Sequence, residues 1–407
     1  MKKKLFVITM VLLLTFSLFA CGQKETPAET DESATEETAT EESTEETTEA
    51  ADMKVAMVTD YGDITDQSFN QTTYEASKAF CDANGIEFVY KKPATDADAD
   101  RIASIEEAIE DGFNVIVMPG FAFANAIYEV APLYPDVKFV ALDVSEYDLN
   151  FDGSGNPRDP EFEGSNVYSA VYQEELAGYM AGYAAVKLGY TKLGFLGGMA
   201  VPAVQRYGYG FVQGADAAAE ESGISDIECK YIYGGQFYGD ADITAVMDTW
   251  YGAGTEVVFA CGGGIFTSAA EAAAKTNAKV IGVDVDQAAI IDGGYGEGMT
   301  VTSAMKGLAP TVNTVLGAIL EGNWDEYKGQ IQTLGLISDA PELNYVQLPE
   351  STQWADGFQV ADYETLVGEL FNGTRTVDAS TDSVPADGSA TPETKVVKVD
   401  HQGTIKG

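Results

Sequence analysis

The chain has 407 residues, of which 45% are hydrophobic, and this is enough apolar material for more than one core. Its formal net charge of -42 excludes nucleic acid as a partner, because an acidic protein repels the phosphate backbone. The single histidine, His401, excludes Ser-His-Asp and Cys-His catalysis and any metal cluster built on histidines.

The N-terminus predicts a secreted lipoprotein. Lysines 2 to 4 precede the apolar run LFVITMVLLLTFSLF, and the segment ends in LFAC, which is similar to the lipobox of bacterial lipoproteins. We expect residues 1–20 to be a signal peptide, and a lipid on Cys21 to anchor the chain on the extracytoplasmic face of the cell membrane. A retained membrane helix is the alternative, but the polar segment that follows is unlike a stop-transfer flank.

Residues 21–52 predict an acidic, disordered tether. After Cys21 the segment is rich in Thr, Glu and Ala and has no aromatic residue, so it buries too little apolar surface to offset its ordering entropy. A helical tether is disfavoured by repulsion along EESTEETTE. After lipidation three cysteines remain, Cys81, Cys229 and Cys261, and an odd number does not make a disulfide framework. We expect Cys81 and Cys261 to be small buried apolar residues.

From Met53 onward, short apolar strands alternate with helical patterns. The strands read KVAMV, IEFVY, NVIVMP and KFVAL, and then KLGFLG, IECKYIY, EVVFA and KVIGV. Helical spacing fills the intervals; the first two helices are expected to stop at Gly85 and Gly112. This alternation predicts an α/β fold with two doubly wound parallel-sheet lobes.

The remaining elements after Val283 are too few for a third domain, so we expect them to return to the two lobes through a hinge with several crossings. We assign residues 53–168 and about 285–312 to an N-terminal lobe, and 169–284 and about 313–375 to a C-terminal lobe. GQIQTLGLI and ELNYVQL are expected to form a strand pair, and residues 376–407 a peripheral tail.

Acids, aromatic residues and glycines collect where the predicted strands end. Ligands of open parallel sheets bind beyond the carboxyl ends of the strands, so these residues predict a cleft between the lobes. The loop TDYGDITDQSFNQ, residues 59–71, forms one wall; its acids lack the spacing of an EF-hand. The residues at the strand ends are Asp60, Gly120, Phe121, Asp143, Gly198, Phe237, Gly262, Asp284, Asp286 and Lys306.

Three kinds of site fit this cleft. A metal site is disfavoured because the acids are spread over different strands. Paired carboxylates could serve an enzyme, a nucleoside hydrolase for example, although a lipid anchor adds nothing to hydrolysis. A binding protein fits best, since carboxylates accept hydrogen bonds from hydroxyls and two lobes can close on a small polar ligand.

The chain resembles the basic membrane protein family, lipoprotein receptors of ABC transporters that typically take purine nucleosides. The resemblance runs from Met53 to about Thr376 through a series of motifs in order. They read TDYGDITDQSFNQ, YPDVKFVALD, VYSAVYQEELAGYMAG, LGFLGGMAVPAVQRYGYGFVQGA, VVFACGGG, VIGVDVDQ and TSAMK. The resemblance implies a type I periplasmic-binding-protein fold and a monomeric nucleoside receptor with no catalysis and no cofactor. It also implies an ABC permease and an ATPase as partners.

The resemblance also implies roles for individual residues. Asp60 would bond the base edge, with Phe69 and Phe237 on its two faces. Asp143 and Asp284 would hold the ribose hydroxyls, and Lys306 would join them at the sugar. Asn70 and Gly262 are further expected contacts.

Each of these residues has a simpler alternative. Asp66 has the position of a helix N-cap, and Asp63 that of a loop acid. Phe69 could be a core residue, and Lys306 could pair with a cleft acid. Either tyrosine near Phe237, Tyr233 or Tyr238, could replace it in the site, and Asp286 and Gln287 could bond backbone in their turn. The chain departs from the family pattern at two places. Ile265-Phe266 after VVFACGGG affects the expected shape of the sugar end of the cleft, and Ala304 before Lys306 affects the expected packing nearby. A sugar receptor of the same fold remains the alternative within binding proteins.

Overall fold

The computed structural model describes residues 52–60, 62–380 and 391–406. The predicted signal peptide, the predicted lipidation site at Cys21 and nearly all of the predicted tether lie outside these ranges. Over the described residues, no helix combines the length and the apolar character needed to cross a membrane.

The first lobe is built on a six-stranded parallel sheet in the order β11-β5-β4-β3-β1-β2. Its strands are β1 Lys54–Val58, β2 Glu87–Lys91, β3 Val115–Pro119, β4 Lys138–Leu142, β5 Val167–Tyr172 and β11 Ile331–Leu334. Every side chain of β3 is buried, because helices cover both faces of the sheet. Two separate hydrophobic clusters, one on each face, share the apolar side chains of β1, β3 and β4 in alternation.

The second lobe carries a seven-stranded sheet in the order β12-β10-β9-β8-β6-β7-β13. Its strands are β6 Lys192–Gly197, β7 Ile227–Tyr233, β8 Val257–Cys261, β9 Lys279–Asp284, β10 Thr300–Lys306, β12 Val346–Gln347 and β13 Val397–Thr404. All pairs are parallel except β12 with β10. The two sheets confirm the predicted α/β class with two doubly wound lobes.

Helices occupy the intervals between the strands. They are α1 Phe69–Asn84, α2 Asp98–Glu110, α3 Ala124–Val130, α4 Glu146–Asn150, α5 Glu174–Lys187, α6 Pro202–Ser222, α7 Ala241–Gly252, α8 Phe266–Thr276, α9 Ala288–Tyr295, α10 Leu308–Leu320 and α11 Val360–Phe371. Short 3₁₀ helices cover Phe121–Phe123, Ala131–Leu133, Trp324–Glu326 and Pro341–Leu343. Helix α1 ends at Gly85, which adopts the left-handed conformation (φ 68°) as a glycine C-cap, and Gly112 follows the end of α2.

The crossings between the lobes differ from the predicted boundaries. Strand β10 lies in the second sheet and not in the first lobe, and β5 extends the first sheet to Tyr172. Helix α10 then returns to pack against α1 of the first lobe. The expected strand pair does not form, because β11 pairs with β5 in one sheet and β12 with β10 in the other.

The C-terminal tail is part of the second lobe. Strand β13 pairs in parallel with β7, with a shift of register between His401 and Thr404, and closes one edge of the seven-stranded sheet. The tail was expected to be peripheral because its Asp-, Ser- and Pro-rich start hides the alternating pattern of VKVDHQGT.

Candidate ligand-binding site

A cavity of about 500 Å³, counting the open space at its mouth, lies between the carboxyl ends of the strands of the two sheets. Its walls are Asp60, Gly62, Asp66, Phe69, Asn70, Ala203, Val204, Tyr207, Phe237, Cys261, Gly262, Gly263, Val283, Asp284 and Lys306. All the residues predicted to bind ligand line this cavity except Asp143. Asp143 forms an ion pair with Lys306, which does line it.

The Asp66 carboxylate shapes the wall from the first lobe. It accepts hydrogen bonds from the backbone N–H groups of Ser68, Asn70 and Gln71, at 2.9 to 3.0 Å, and so satisfies donors that the start of α1 leaves free. Asp66 therefore caps α1 with its side chain, as its alternative role required, although the N-cap position itself is Ser68; the same residue also lines the cavity. Burial raises the pKa of Asp66, although these donors oppose the shift.

The start of α1 places Phe69 and Asn70 at the cavity. Phe69 also packs against the main hydrophobic cluster, so the core alternative and the cavity position hold together. By contrast, the carboxylate of Asp63 pairs with Lys92 at 2.6 Å on the surface, as a loop acid does. Asp60 approaches the backbone of Gly120 so closely that a Cβ there would lie 2.0 Å from Asp60 Oδ2.

The wall from the second lobe is formed around the Phe237 ring. A Cβ at Gly198 would lie 2.5 Å from Phe237 Cδ1, and one at Gly262 3.1 Å from the same atom. Gly262 also has φ 149°, which a residue with a side chain rarely adopts. Of the three aromatic candidates, Tyr233 is buried in β7 and Tyr238 is 62% exposed, so Phe237 is the one that lines the cavity.

Lys306 lies at the centre of a buried ionic cluster. Its Nζ is 2.6 Å from Asp143 Oδ2, which belongs to the other lobe, and 3.3 Å from Glu174 Oε1. The same Nζ lies 4.6 Å from the centroid of the Phe69 ring. Burial alone would lower the pKa of Lys306, but the carboxylates of Asp143, Glu174 and Asp284 outweigh it and hold the pKa above the ordinary value. Lys306 thus pairs with cleft acids and also lines the cavity.

Asp143 and Asp284 end equivalent strands, β4 and β9. Both have positive φ, 61° and 65°, a conformation in which aspartate is enriched among residues with side chains. Burial raises the pKa of Asp143 to about 6 against the opposing charge of Lys306. Burial likewise raises the pKa of Asp284. The hydroxyl of Ser68 donates to Asp284 Oδ2 across the two lobes.

Two buried polar atoms of the cavity lining, and one of Asp143 behind Lys306, have no hydrogen-bond partner within the described part of the chain. They are Asn70 Oδ1, Asp143 Oδ1 and the Tyr207 hydroxyl. Burial holds the pKa of Tyr207 far above its ordinary value, so its hydroxyl stays a donor. Buried polar groups are normally paired, and unpaired ones cost stability, so these atoms mark positions that a polar ligand can satisfy.

Tyr207 and the charged residues behind Lys306 are functional candidates that the sequence did not indicate. Tyr207 lies within α6 in the run QRYGYGF, where neither spacing nor composition distinguishes the cavity side from the core. Glu174 is fully buried and its Oε2 is 2.6 Å from Arg206 Nε, a pairing between two helices. In the sequence, Glu174 belongs to a pair of acids at the start of a helix, which is a common pattern and does not indicate a functional role.

The alternatives for the turn after β9 are confirmed. Asp286 Oδ1 accepts from the backbone of Ala288, and Gln287 Oε1 accepts from that of Val283. Gln287 Nε2 also donates to the backbone of Gln67 in the other lobe. Where the chain departs from the family pattern, Ile265, Phe266 and Ala304 are all buried. No group of three or more acidic, cysteine or histidine side chains among the described residues has the arrangement of a metal site.

Comparison with known proteins identifies relatives. The sequence model of the Bmp family, described as ABC transporter substrate-binding protein PnrA-like, matches residues 53–356. The ABC transporter nucleoside-binding protein BmpA of Lactococcus lactis subsp. cremoris is 30% identical over 247 residues, which cover 58% of this chain and 65% of that protein, just under two thirds. Basic membrane protein B of Borreliella burgdorferi is 26% identical, over 73% of this chain and 84% of its own length.

The fold has solved counterparts. A solute-binding protein of an ABC transporter system from Aeropyrum pernix K1 superposes with a TM-score of 0.63, over 81% of this chain and 94% of its own. At 19% identity this likeness concerns the fold alone. With the family match covering most of the two lobes, the chain belongs to the Bmp family of PnrA-like ABC transporter substrate-binding proteins.

Proposed function

We propose that the protein is a lipid-anchored receptor that captures a nucleoside, a purine nucleoside in the first place, between its two lobes. It would deliver this ligand to a membrane permease driven by an ATPase. The observation that carries the proposal is the cavity itself, in which buried polar atoms without partners lie beside two aromatic side chains. The Lactococcus lactis relative is named a nucleoside-binding protein, which supports the same ligand class.

The aromatic residues account for the base. Phe69 and Phe237 come from different lobes and both line the cavity, so closure can bring two ring faces to one planar ligand. Stacking of a base on an aromatic side chain contributes about 1–3 kcal/mol. Asp60 and the unpaired Asn70 Oδ1 offer acceptors for the N–H groups of a base edge.

The carboxylates at the strand ends account for the sugar. Asp143 and Asp284 can accept hydrogen bonds from vicinal hydroxyls, and the Tyr207 hydroxyl can donate one. A hydrogen bond to a charged group contributes about 1.5–3 kcal/mol. The acids Asp60, Asp66 and Asp284 outnumber Lys306 on the cavity wall, which favours a ligand without phosphate groups.

Calorimetric titration tests the proposal. Residues 22–407, which lack the lipidated cysteine, are unfolded, stripped of ligand and refolded, and then titrated with adenosine, guanosine, inosine, cytidine, uridine, adenine and ribose. We expect one-to-one binding of intact purine nucleosides and weak binding of free adenine and ribose. Ribose that binds as well as a ribonucleoside would indicate a sugar receptor, and free base that accumulates with time would indicate hydrolysis.

Replacement of Phe69 tests the site. Phe69→Ala removes one stacking face and is expected to weaken nucleoside binding by roughly tenfold or more. Tyr74→Ala is the matched control, because Tyr74 lies on the same helix but packs against Phe88 and Tyr90. Equal affinities of Phe69→Ala and the wild type would refute the assignment of Phe69 to the site.

A further inference from the structure

The segment formed by residues 394–406 lies beyond the family match, which ends at residue 356. Its start is fastened to α6 by one buried carboxylate. Asp216 Oδ1 accepts from the backbone N–H groups of Lys395, Val396 and Val397 at 2.7 to 3.0 Å. Strand β13 then runs parallel to β7, with Val397 opposite Ile227 and His401 opposite Tyr231, and after a shift of register Thr404 lies opposite Tyr233.

Side chains along β13 reinforce this pairing. The His401 ring stacks on Tyr231 with a centroid distance of 5.1 Å. Trp250 Nε1 donates to Gln402 Oε1 at 3.0 Å, which ties the strand to α7. The direction of the strand therefore carries the chain toward the carboxyl end of β7, where the loop of residues 234–240 begins.

Lys406 contacts both ends of that loop. At the first end, Ile405 N–H donates to Tyr233 O at 2.9 Å, and a Cβ at Gly235 would lie 2.0 Å from Lys406 O. At the second end, Lys406 Nζ donates to Asp240 Oδ2. This hydrogen bond is the largest cause that lowers the pKa of Asp240, to about 2.

The loop between these two ends carries Phe237. On its other side, Gly264 N–H donates to Phe237 O at 2.9 Å and Gly235 N–H donates to Gly198 O at 3.0 Å. Asp240 also accepts from Gln236 Nε2 and from the first N–H groups of α7. The loop is thus held between the cavity glycines and the C-terminal segment.

We propose that the C-terminal segment is a positioning element for the Phe237 loop, and that Lys406 is the positioning residue through which it acts on ligand affinity. The consequence for affinity rests on the proposed function, since it requires Phe237 to contact the ligand. The effect on the loop itself does not. The backbone of Ile405 and Lys406 lies against the first end of the loop, and the Lys406 side chain fixes the second end through Asp240, which limits the orientations available to the ring.

The test uses Lys406→Ala in residues 22–407, with Lys398→Ala as the matched control. Lys398 lies on the same strand and also pairs with an aspartate, Asp226 at 2.9 Å, but at the opposite end. Hydrogen exchange is measured first without ligand. We expect the backbone N–H groups of residues 235–240 to exchange faster in Lys406→Ala than in the wild type, and not in Lys398→Ala. Lys406→Arg should restore the slow exchange.

Affinity is measured next with the purine nucleoside that binds most tightly. Lys406→Ala is expected to weaken binding by roughly two- to fivefold, the range of a partly exposed ion pair, and Lys398→Ala to leave it unchanged. In a Phe237→Ala background, Lys406→Ala should have no further effect, because the ring on which it acts is absent.

The outcomes separate this proposal from the proposed function. Unchanged exchange of the loop in Lys406→Ala overturns the positioning role, whatever the protein binds. If the wild type binds nucleosides, and Lys406→Ala exchanges faster but binds them with unchanged affinity, the effect on binding is overturned. If the wild type binds no nucleoside and Lys406→Ala still exchanges faster, the positioning role is supported and the nucleoside ligand is refuted.

Discussion

Glu175, in the first turn of α5, is a buried acid in an unfavourable setting. It is 5% exposed, and its Oε2 has no hydrogen-bond partner among the residues that the structure describes. Burial raises its pKa to about 7, the neighbouring Glu174 adds to the shift, and Arg206 opposes it. The folded protein therefore binds a proton at Glu175 more tightly than the unfolded chain does.

This raised pKa predicts a pH dependence of stability. With a folded pKa of about 7 against an ordinary value of 4.5, the stabilisation from the protonated form is fully present below pH 4.5 and is lost as the pH rises through 7. Glu175→Gln keeps the neutral form at every pH. We expect the variant to equal the wild type at pH 4 and to exceed its free energy of unfolding by about 3 kcal/mol at pH 8.

Urea unfolding at several pH values measures the difference. Glu364→Gln on α11, an exposed glutamate, is the control and should follow the wild type throughout. Other buried acids such as Asp143 also titrate in the wild type, so only the difference between variant and wild type reports on Glu175. A constant difference between pH 4 and pH 8 would contradict the raised pKa.

Helices α5 and α6 approach each other along glycines. A Cβ at Gly182 would lie 2.0 Å from Phe211 O, and a Cβ at Gly210 1.9 Å from Glu175 O. Since a backbone carbonyl cannot move aside as a side chain can, only glycine allows this separation. The close contact also determines where α6 presents Arg206 and Tyr207 to the cavity.

A pair of substitutions tests this helix contact. Gly182→Ala forces the two helices apart and is expected to lower the free energy of unfolding by more than about 2 kcal/mol. Gly368→Ala on α11 is the matched variant, because a Cβ there meets nothing within 4 Å. It should raise stability by about 0.5–1 kcal/mol through helix propensity. Thermal unfolding measures the stability of both variants relative to the wild type. A Gly182→Ala variant as stable as the wild type would contradict the close approach of α5 and α6.

The elements show what sequence patterns can predict. KVAMV and NVIVMP are apolar on both faces, so their burial between helices follows from composition alone. The assignment of β10 and β11 to lobes was wrong, and so was the expected pairing of β11 with β12, because strand pairing depends on partners far along the chain. Strand β13 was missed because only Val397 of its residues is buried, so its sequence carries little of the apolar signal of a strand.

The candidate site shows the same limits. Asp60, Asp284 and Lys306 end strands, and strand ends of a parallel sheet meet at one edge, so their common location was predictable. Tyr207 and Glu174 come from helices, and which face of a buried helix meets a cavity is decided by packing. The unpaired hydroxyl of Tyr207 is visible only in three dimensions.

At the scale of the molecule, three residues that are proposed to hold the sugar, Asp143, Asp284 and Lys306, also make contacts between the two lobes. Lys306 bonds Asp143, Ser68 bonds Asp284, and Gln287 bonds Gln67, each pair across the lobes. These contacts connect two sheets that otherwise have separate strands. They provide closure contacts that do not involve a ligand.

Removal of one such contact should shift the protein toward an open form. Ser68→Ala deletes a hydrogen bond to a carboxylate, a contribution of about 1.5–3 kcal/mol, so the ratio of open to closed molecules should rise by roughly tenfold or more. Ser104→Ala is the control, because the Ser104 hydroxyl bonds Asp100 O within α2 and makes no contact across the lobes.

Small-angle X-ray scattering on residues 53–407 without ligand measures this change. We expect a larger radius of gyration for Ser68→Ala than for the wild type, and no difference for Ser104→Ala. Saturation with the bound ligand should return the variant to the compact form, since ligand contacts then replace the lost hydrogen bond. Identical scattering of Ser68→Ala and the wild type without ligand would mean that this bond does not hold the free lobes closed. The Lys306–Asp143 and Gln287–Gln67 contacts would then suffice to close the free lobes, or closure would require the ligand.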